Sequence, residues 1–383
     1  MAERIYCDWN ATAPLRPEAR RAMAAVLALT GNASSVHAEG RALRRAVEEA
    51  REQVAALAGV EAGNVTFTSS ATEANMLALT PAVEVGTDCT PRDWLFVSSV
   101  EHASVRCGGR FAAERVTELP VTRDGLVDLD KLRKSLTAAA RPLVSVMLAN
   151  NETGVVQPIR DIADITHAAR GILHVDAVQG PGRVPCEFSA LGADLMSISS
   201  HKLGGPQGAG ALIRRNDIHI AQPLIRGGGQ ESGLRAGTEN AAGIAGFGAA
   251  AATARSANPE RLAVLRDRFE QCLKACTPNV VIFGEGVRRL PNTTLFAVPG
   301  VKAETAVIAL DLNGVAASSG AACSSGKVQE SHVLAAMGVE PELARGAIRV
   351  SLGWSTTESE IDRLLNAWNK VAWSLLKRHA NAA

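Results

Sequence analysis

The segment ADLMSISSHKLGGPQGAG, residues 193–210, sets Lys202 between an apolar run and a glycine-rich turn. Leu195, Met196 and Ile198 read as a buried strand. That strand ends at Ser199-Ser200-His201-Lys202, and the glycines with Pro206 read as a loop. A lysine just past a buried strand, beside such a turn, is poorly solvated. Desolvation lowers an amine's pKa and frees it for Schiff-base chemistry. On its own, the segment is better explained by a surface lysine that follows a strand. The rest of the chain reverses that preference.

Strand-like runs at 65–68, 94–99, 115–120, 143–149 and 172–175 alternate with helical patterns at 17–29, 43–57 and 159–169. In the second helix Leu43, Val47, Ala50, Val54 and Leu57 recur at gaps of three and four, and Gly59 ends it. This alternation predicts an α/β fold, with a mostly parallel central sheet flanked by helices on both faces. Thr72, His102, Asn151, Asp176, Gln179, Ser199, His201 and Lys202 all follow the carboxyl ends of predicted strands. Open α/β sheets bind ligands at that edge. Ser70 and Thr72 are placed to cap a helix opened by the stretch 69–75, whose free backbone N–H groups make a candidate phosphate cradle.

The character changes near residue 225. The stretch RGGGQESGLRAGTEN, residues 226–240, is a long glycine-rich loop of a kind uncommon without a function. Beyond it, strands at 280–283, 292–296, 315–317 and 347–352 and helices at 259–276, 304–312, 331–337 and 357–377 predict a smaller α+β domain. Residues 13–255 are therefore expected to form a large domain, and residues 1–12 with 256–383 a small one.

Composition narrows the function classes. Hydrophobic residues make up 46% of the 383 and charged residues 21%, enough for a full core and unlike a disordered chain. A net charge of +1 with no basic block, and aromatics at 4%, disfavour nucleic acid as a partner. The seven cysteines are unpaired in number and contain no CxxC, which predicts free thiols in a reducing cytoplasm and no metal site. The N-terminus MAERIYCDWN has no apolar signal core, and the alanine- and glycine-rich run 241–254 is too short to span a bilayer.

A lysine-bound pyridoxal phosphate would use this inventory. Asp176 could hold the pyridine nitrogen protonated by charge pairing. Thr72, Ser199 and His201 could meet the phosphate, Gln179 the phenolic oxygen, and His102 the ring face. Cys323 sits in the small-residue stretch SSGAACSSG, residues 318–326, a tether suited to a thiolate that must travel.

As a set these residues resemble the cysteine desulfurases, pyridoxal-phosphate enzymes of aminotransferase fold type I that supply sulfur for iron–sulfur clusters. The likeness is carried by SSATEAN (69–75), EHASV (101–105), ANNETGVVQP (149–158), HVDAVQ (174–179), SISSHKLGGPQG (197–208), GGGQESGLRAGTEN (227–240) and ASSGAACSSG (317–326). It runs from YCDWNATAP near the start to IRVSLGWSTT at 348–357. The resemblance implies that Lys202 carries pyridoxal 5'-phosphate. It implies that Asp176, Gln179, His102, Ala71, Thr72, Asn151, Ser199 and His201 bind that cofactor, with Thr238 reaching in from the other subunit of a homodimer. Asn151 and Arg349 would hold the carboxylate of L-cysteine. Lys202, Cys323 and His102 would be catalytic, with sulfur passing as a Cys323 persulfide to an iron–sulfur scaffold protein or another acceptor.

The chain departs from the usual pattern at Ala321, Ser232 and Gln207, where serine, arginine and lysine are common. None of these removes a catalytic group. A selenocysteine lyase or an aminotransferase of the same fold would keep Lys202 and Asp176 without needing Cys323. A nucleotide-binding phosphate loop at 320–327 does not match, because Val328 stands where serine or threonine would hold magnesium.

Overall fold

The structure, a computed structural model, describes residues 4–320 and 330–380, with side chains to residue 376. Its centre is a seven-stranded sheet. In spatial order the strands are Val65–Thr68, Gly210–Arg214, Leu195–Ser199, Ile172–Asp176, Pro142–Met147, Trp94–Ser98 and Val116–Leu119. Gly210–Arg214 is antiparallel to both its neighbours, and the other six strands run one way. The three central strands are buried at every residue, as expected where helices cover both faces.

Helices Pro17–Leu27, Ala38–Ala58 and Ala241–Ala254 pack together on one side. Small residues permit the close approach. A Cβ on Gly248 would lie 2.6 Å from the Ala50 Cα, and one on Gly246 2.6 Å from the Met23 Cγ. The alanine-rich helix is thus a buried packing element, as its composition predicts. Helix Ala38–Ala58 ends where the sequence predicts, with Gly59 left-handed at φ 69°.

A second core gathers helices Pro259–Cys276, Ala303–Leu312 and Glu358–Ala380 around a four-stranded antiparallel sheet. The strand order there is Val281–Ile282, Thr293–Ala297, Ile348–Ser351, Ser318–Ser319. The N-terminal Ile5–Tyr6 pairs parallel with Val315–Ala316 and brings Cys7 into this core. Two of the elements additional to the sequence expectations exceed a single helical turn or a two-residue strand. One is helix Leu129–Leu136, capped by Asp128. The other is the antiparallel pair Val83–Val85 and Ile218–Ile220.

Within the second core Arg289 grips Glu270 with both terminal nitrogens, at 2.7 and 2.8 Å, and the Thr294 hydroxyl donates to the same carboxylate at 2.7 Å. Both charges are buried, so removing one strands the other. Arg289→Met is expected to destabilise the chain by about 3–5 kcal/mol, while Glu270→Leu/Arg289→Met recovers most of that loss. Urea unfolding of the two variants checks this, and an additive loss in the double variant would refute it.

Candidate active site

Strand direction builds the site. Six strands deliver their carboxyl ends to one edge, and a cavity of about 300 Å³ lies there. It is lined by Ala71, Thr72, His102, Asn151, Asp176, Gln179, Ser199, His201, Lys202 and Arg349, all expected from the sequence. Thr238 lies elsewhere, in a separate depression with Ser69, Gly208 and Arg235. Cys323 lies outside the described residues.

Lys202 sits in the single 3-10 turn that follows strand Leu195–Ser199. Its Nζ donates to the carbonyls of Asn10 at 2.6 Å and Ala11 at 2.7 Å. Asp176 ends the adjacent strand, in register with Ser197. The Asp176 carboxylate is buried and held by neutral donors: Asn75 Nδ2 at 2.9 Å and the Val178 backbone N–H at 3.1 Å. The described residues place no cation within ion-pair distance of it.

Asn75 also donates from Nδ2 to Ser104 Oγ at 2.9 Å. Since that hydroxyl oxygen accepts from Asn75, its proton is left for His102 Nδ1, 2.8 Å away. The Ser104 backbone N–H points at the same nitrogen from 3.2 Å. His102 Nδ1 is therefore an acceptor, which leaves Nε2 as the ring's donor. His201 meets Thr12 Oγ1 through Nδ1 at 3.0 Å. Burial, and then the Lys202 charge, push the His201 pKa down to about 4, so it is a neutral hydrogen-bonding group near pH 7.

The phosphate cradle expected within 69–75 is the N-terminus of helix Ala71–Ala78. Ser70 caps it, accepting from the Glu73 N–H at 3.2 Å. Thr72 does not cap; it lies exposed in the first turn and lines the cavity. The start of strand Gly210–Arg214 presses against this turn. A Cβ on Gly210 would sit 2.5 Å from the Ser70 carbonyl carbon and 2.8 Å from the Ala71 nitrogen, so only glycine allows the approach.

On the opposite wall Arg349 projects from strand Ile348–Ser351 and is almost wholly buried. It donates to the Asn151 carbonyl at 2.9 Å and pairs with Asp8 at 2.7 Å. Its Nε has no partner among the described residues, nor does the Asn75 Oδ1. Gln179 donates to the Asn10 carbonyl at 3.1 Å and accepts from Arg183. Asn10, Asn75, Ser104 and Arg183 complete the site without having been singled out in the sequence. Asn75 lies within the quoted SSATEAN stretch, one helical turn after Ala71, and that spacing was the only signal for it.

These residues fit pyridoxal phosphate. A buried carboxylate lacking a cation suits a protonated pyridine nitrogen. A helix N-terminus beside Ser199 and neutral His201 suits a phosphate, and the Arg349 guanidinium on the cavity wall suits a substrate carboxylate. Among the described residues no group of three or more His, Cys, Asp or Glu could hold a metal ion.

Comparisons with known proteins agree. Residues 5–364 match the family described as aminotransferase class-V. A cysteine desulfurase of Cereibacter sphaeroides is 44% identical over 95% of this chain and 94% of its own length. The cysteine desulfurase IscS of Dictyoglomus turgidum is 40% identical over 97% and 95%. The crystal structure of a NifS-like protein from Rickettsia africae superposes with a TM-score of 0.87 at 36% identity, over 96% of this chain and 99% of that one. With its near-complete length matched in sequence and in fold, the chain belongs to the aminotransferase class-V family, in its cysteine desulfurase branch.

Proposed function

We propose that this pyridoxal-phosphate enzyme takes sulfur from L-cysteine, releases L-alanine and carries the sulfur as a persulfide on Cys323. The observation that carries this reading is the single cavity lined by Lys202, by Asp176, which has no cation partner among the described residues, and by the buried Arg349. Asp176 holds the pyridine nitrogen and Gln179 the phenolic oxygen. Ala71, Thr72, Ser199 and His201 hold the phosphate, and His102 covers the ring. Thr238 lines no part of its own chain's cavity, so it serves the phosphate site of a second copy in a homodimer. Bound there, the cofactor supplies an electron sink that lets the substrate's Cα–H and C–S bonds break.

The chain's own groups do the rest. Arg349 and Asn151 grip the substrate carboxylate and fix the Cα–H bond toward Lys202. Lys202 Nζ, once released from the Asn10 and Ala11 carbonyls, takes the Cα proton. The Cys323 thiolate attacks the substrate sulfur, so an S–S bond forms as the C–S bond breaks. The carbon fragment keeps the electron pair, is protonated and leaves as L-alanine. An iron–sulfur scaffold protein or another acceptor then takes the persulfide sulfur. A cytoplasmic setting is consistent with six free thiols among the described residues, where no helix is long and apolar enough to cross a membrane.

The segment that carries Cys323 is followed by a buried anchor. Ser331 Oγ donates to Glu152 Oε2 at 2.5 Å while accepting from the Leu334 N–H at 3.1 Å. Burial pushes the Glu152 carboxyl up to about 7, against the lowering effects of Ser331 and Arg349. The folded chain therefore binds this proton more tightly than the unfolded chain does. Glu152 makes stability fall as pH rises from about 4.5 to about 7.

Two measurements follow. Purified protein with pyridoxal phosphate should absorb near ~420 nm and convert L-cysteine to alanine and sulfide. Cys323→Ala should lose sulfur release at least about a hundred-fold while keeping the absorbance, since the nucleophile is gone but the cofactor site is intact. Cysteine turnover retained in Cys323→Ala would instead favour an aminotransferase or selenocysteine lyase. Separately, Glu152→Gln should flatten the fall in unfolding free energy between pH 5 and 7. An unchanged slope in that variant would show that the anchor does not titrate there.

A further inference from the structure

Behind Lys202 lies a second cavity, of about 180 Å³, and Lys202 lines both. Three guanidinium groups line it, those of Arg16, Arg183 and Arg261, and no aspartate or glutamate does. Arg16 is 8% exposed and Arg183 9%. Their partners are all neutral. Arg16 Nε donates to the Leu203 carbonyl at 2.8 Å, and its guanidinium lies 3.6 Å above the Trp354 ring. Arg183 donates to Gln179 Oε1, to the Trp9 carbonyl at 3.4 Å and to the Lys202 carbonyl at 3.2 Å. Arg261 donates to the carbonyls of Trp354, at 3.1 Å, and Thr356.

A guanidinium does not lose its charge at neutral pH, and a buried one is almost always matched by an anion. Here the described residues provide none. Glu18, the acid that acts on Arg16, pairs with Arg21 at 3.1 Å. Burial depresses both buried guanidinium groups to about 10, which registers the missing counter-charge.

The cleft is also built and open. Gly204 takes φ 89°, and a Cβ there would come within 2.4 Å of the Trp354 ring and 2.6 Å of the Arg16 Cγ, so Arg16 is locked in place. Trp354 is itself braced edge-on against Trp9, with centroids 4.6 Å apart. Exposed Asn258 and Arg261 form the mouth, at the N-terminus of the 18-residue helix Pro259–Cys276, which adds positive potential.

We propose that the cleft bounded by Arg16, Arg183 and Arg261 binds a small oxyanion of the carboxylate, sulfate or phosphate class, and that Arg183 transmits its presence to the active site. The volume admits an ion of a few heavy atoms and excludes a nucleotide. Transmission follows from bonding. The Arg183 that faces the anion also holds Gln179, on the wall of the first cavity, and the carbonyl of Lys202. An anion that draws Arg183 toward itself loosens its hold on Gln179 and changes the surroundings of the cofactor.

The test uses the cofactor-loaded enzyme, so the cofactor already fills its own phosphate site. Sulfate, phosphate and acetate are titrated separately against chloride at matched ionic strength. Readouts are the unfolding midpoint and the cofactor absorbance. Expected is a rise in the unfolding midpoint that reaches about 3 °C at a hundred-fold excess over Kd and then grows with the logarithm of anion concentration, with an absorbance change that saturates at the same Kd. A preference for acetate would identify a carboxylate, and a preference for sulfate or phosphate an inorganic ion. Arg16→Gln should weaken binding at least about ten-fold, as expected for a lost charged hydrogen-bond donor. If Arg16→Gln does not fold, Arg261→Gln at the exposed mouth decides, with a loss of several-fold. A rise that chloride reproduces or that both variants retain would overturn the site. An anion-specific rise in the unfolding midpoint with unaltered absorbance would overturn the coupling.

Discussion

The backbone carbonyl of Asn10 is where the two cores are tied together. It accepts from Lys202 Nζ at 2.6 Å and from Gln179 Nε2 at 3.1 Å, both from the large sheet's edge. The Asn10 side chain donates to the Asn151 carbonyl at 3.2 Å and Thr293 Oγ1 at 2.9 Å, and accepts from Asn292 at 3.1 Å. Its own N–H donates to Ser351 Oγ at 3.0 Å. Each such bond contributes only about 1 kcal/mol net, but each buried group left unmade costs about 1–3 kcal/mol. Geometry rather than gross stability is what this residue enforces. It fixes Lys202 and Gln179 on one side of the cavity against Arg349 and Asn151 on the other.

The single reversed strand matters as much as the parallel ones. After the Lys202 turn the chain does not cross over through a helix. It returns directly as Gly210–Arg214, antiparallel to the strand it has just left. That return slots between Leu195–Ser199 and Val65–Thr68, and so carries the Val65–Thr68 carboxyl end, with the helix that opens at Ala71, to the same edge. The Gly210 contact with Ser70 and Ala71 is the seam. A longer connection, or a side chain at 210, would separate the phosphate cradle from the lysine.

How much of this was legible follows from where the signals lie. Asp176, Lys202, Asn151 and His102 were readable because a parallel sheet makes the end of every buried apolar run a site position. The cap at Ser70, the end of helix Ala38–Ala58 at Gly59 and the span of helix Pro259–Cys276 were readable because capping and charge alternation are local patterns, whereas the start of helix Ala38–Ala58 lies five residues before the first periodic position read, Leu43. Thr72 was misread as a cap because serine and threonine two residues apart give the same local signal, and only the Ser70 backbone is extended. Helix Leu129–Leu136 escaped notice because it buries only Leu132 and Leu136, too few positions to set a period. The three-residue pair Val83–Val85 and Ile218–Ile220 has no local pattern and exists only through its distant partner. Asn10, Arg183 and the Asp8 partner of Arg349 were unreadable for the same reason: their roles are defined by groups far along the chain.

One principle connects the two cavities that meet at Lys202. On one side the chain buries a carboxylate, Asp176, with only neutral donors around it. On the other it buries Arg16 and Arg183 with only carbonyls and an aromatic ring. Elsewhere it matches such charges internally, as Arg289 does with Glu270 and Arg51 with Glu231. Folding alone would favour matching them everywhere, because an unpaired buried charge lowers stability. A charge left unmatched at a cavity wall instead converts that loss into affinity, since whatever supplies the counter-charge binds only the folded chain and stabilises it by mass action. In the function proposed above a protonated ring nitrogen would answer Asp176, and the same logic favours an anion for the arginines. Lys202 lines both cavities, and Arg183, bonded to its carbonyl and to Gln179, is the link between ligands of opposite charge on either side.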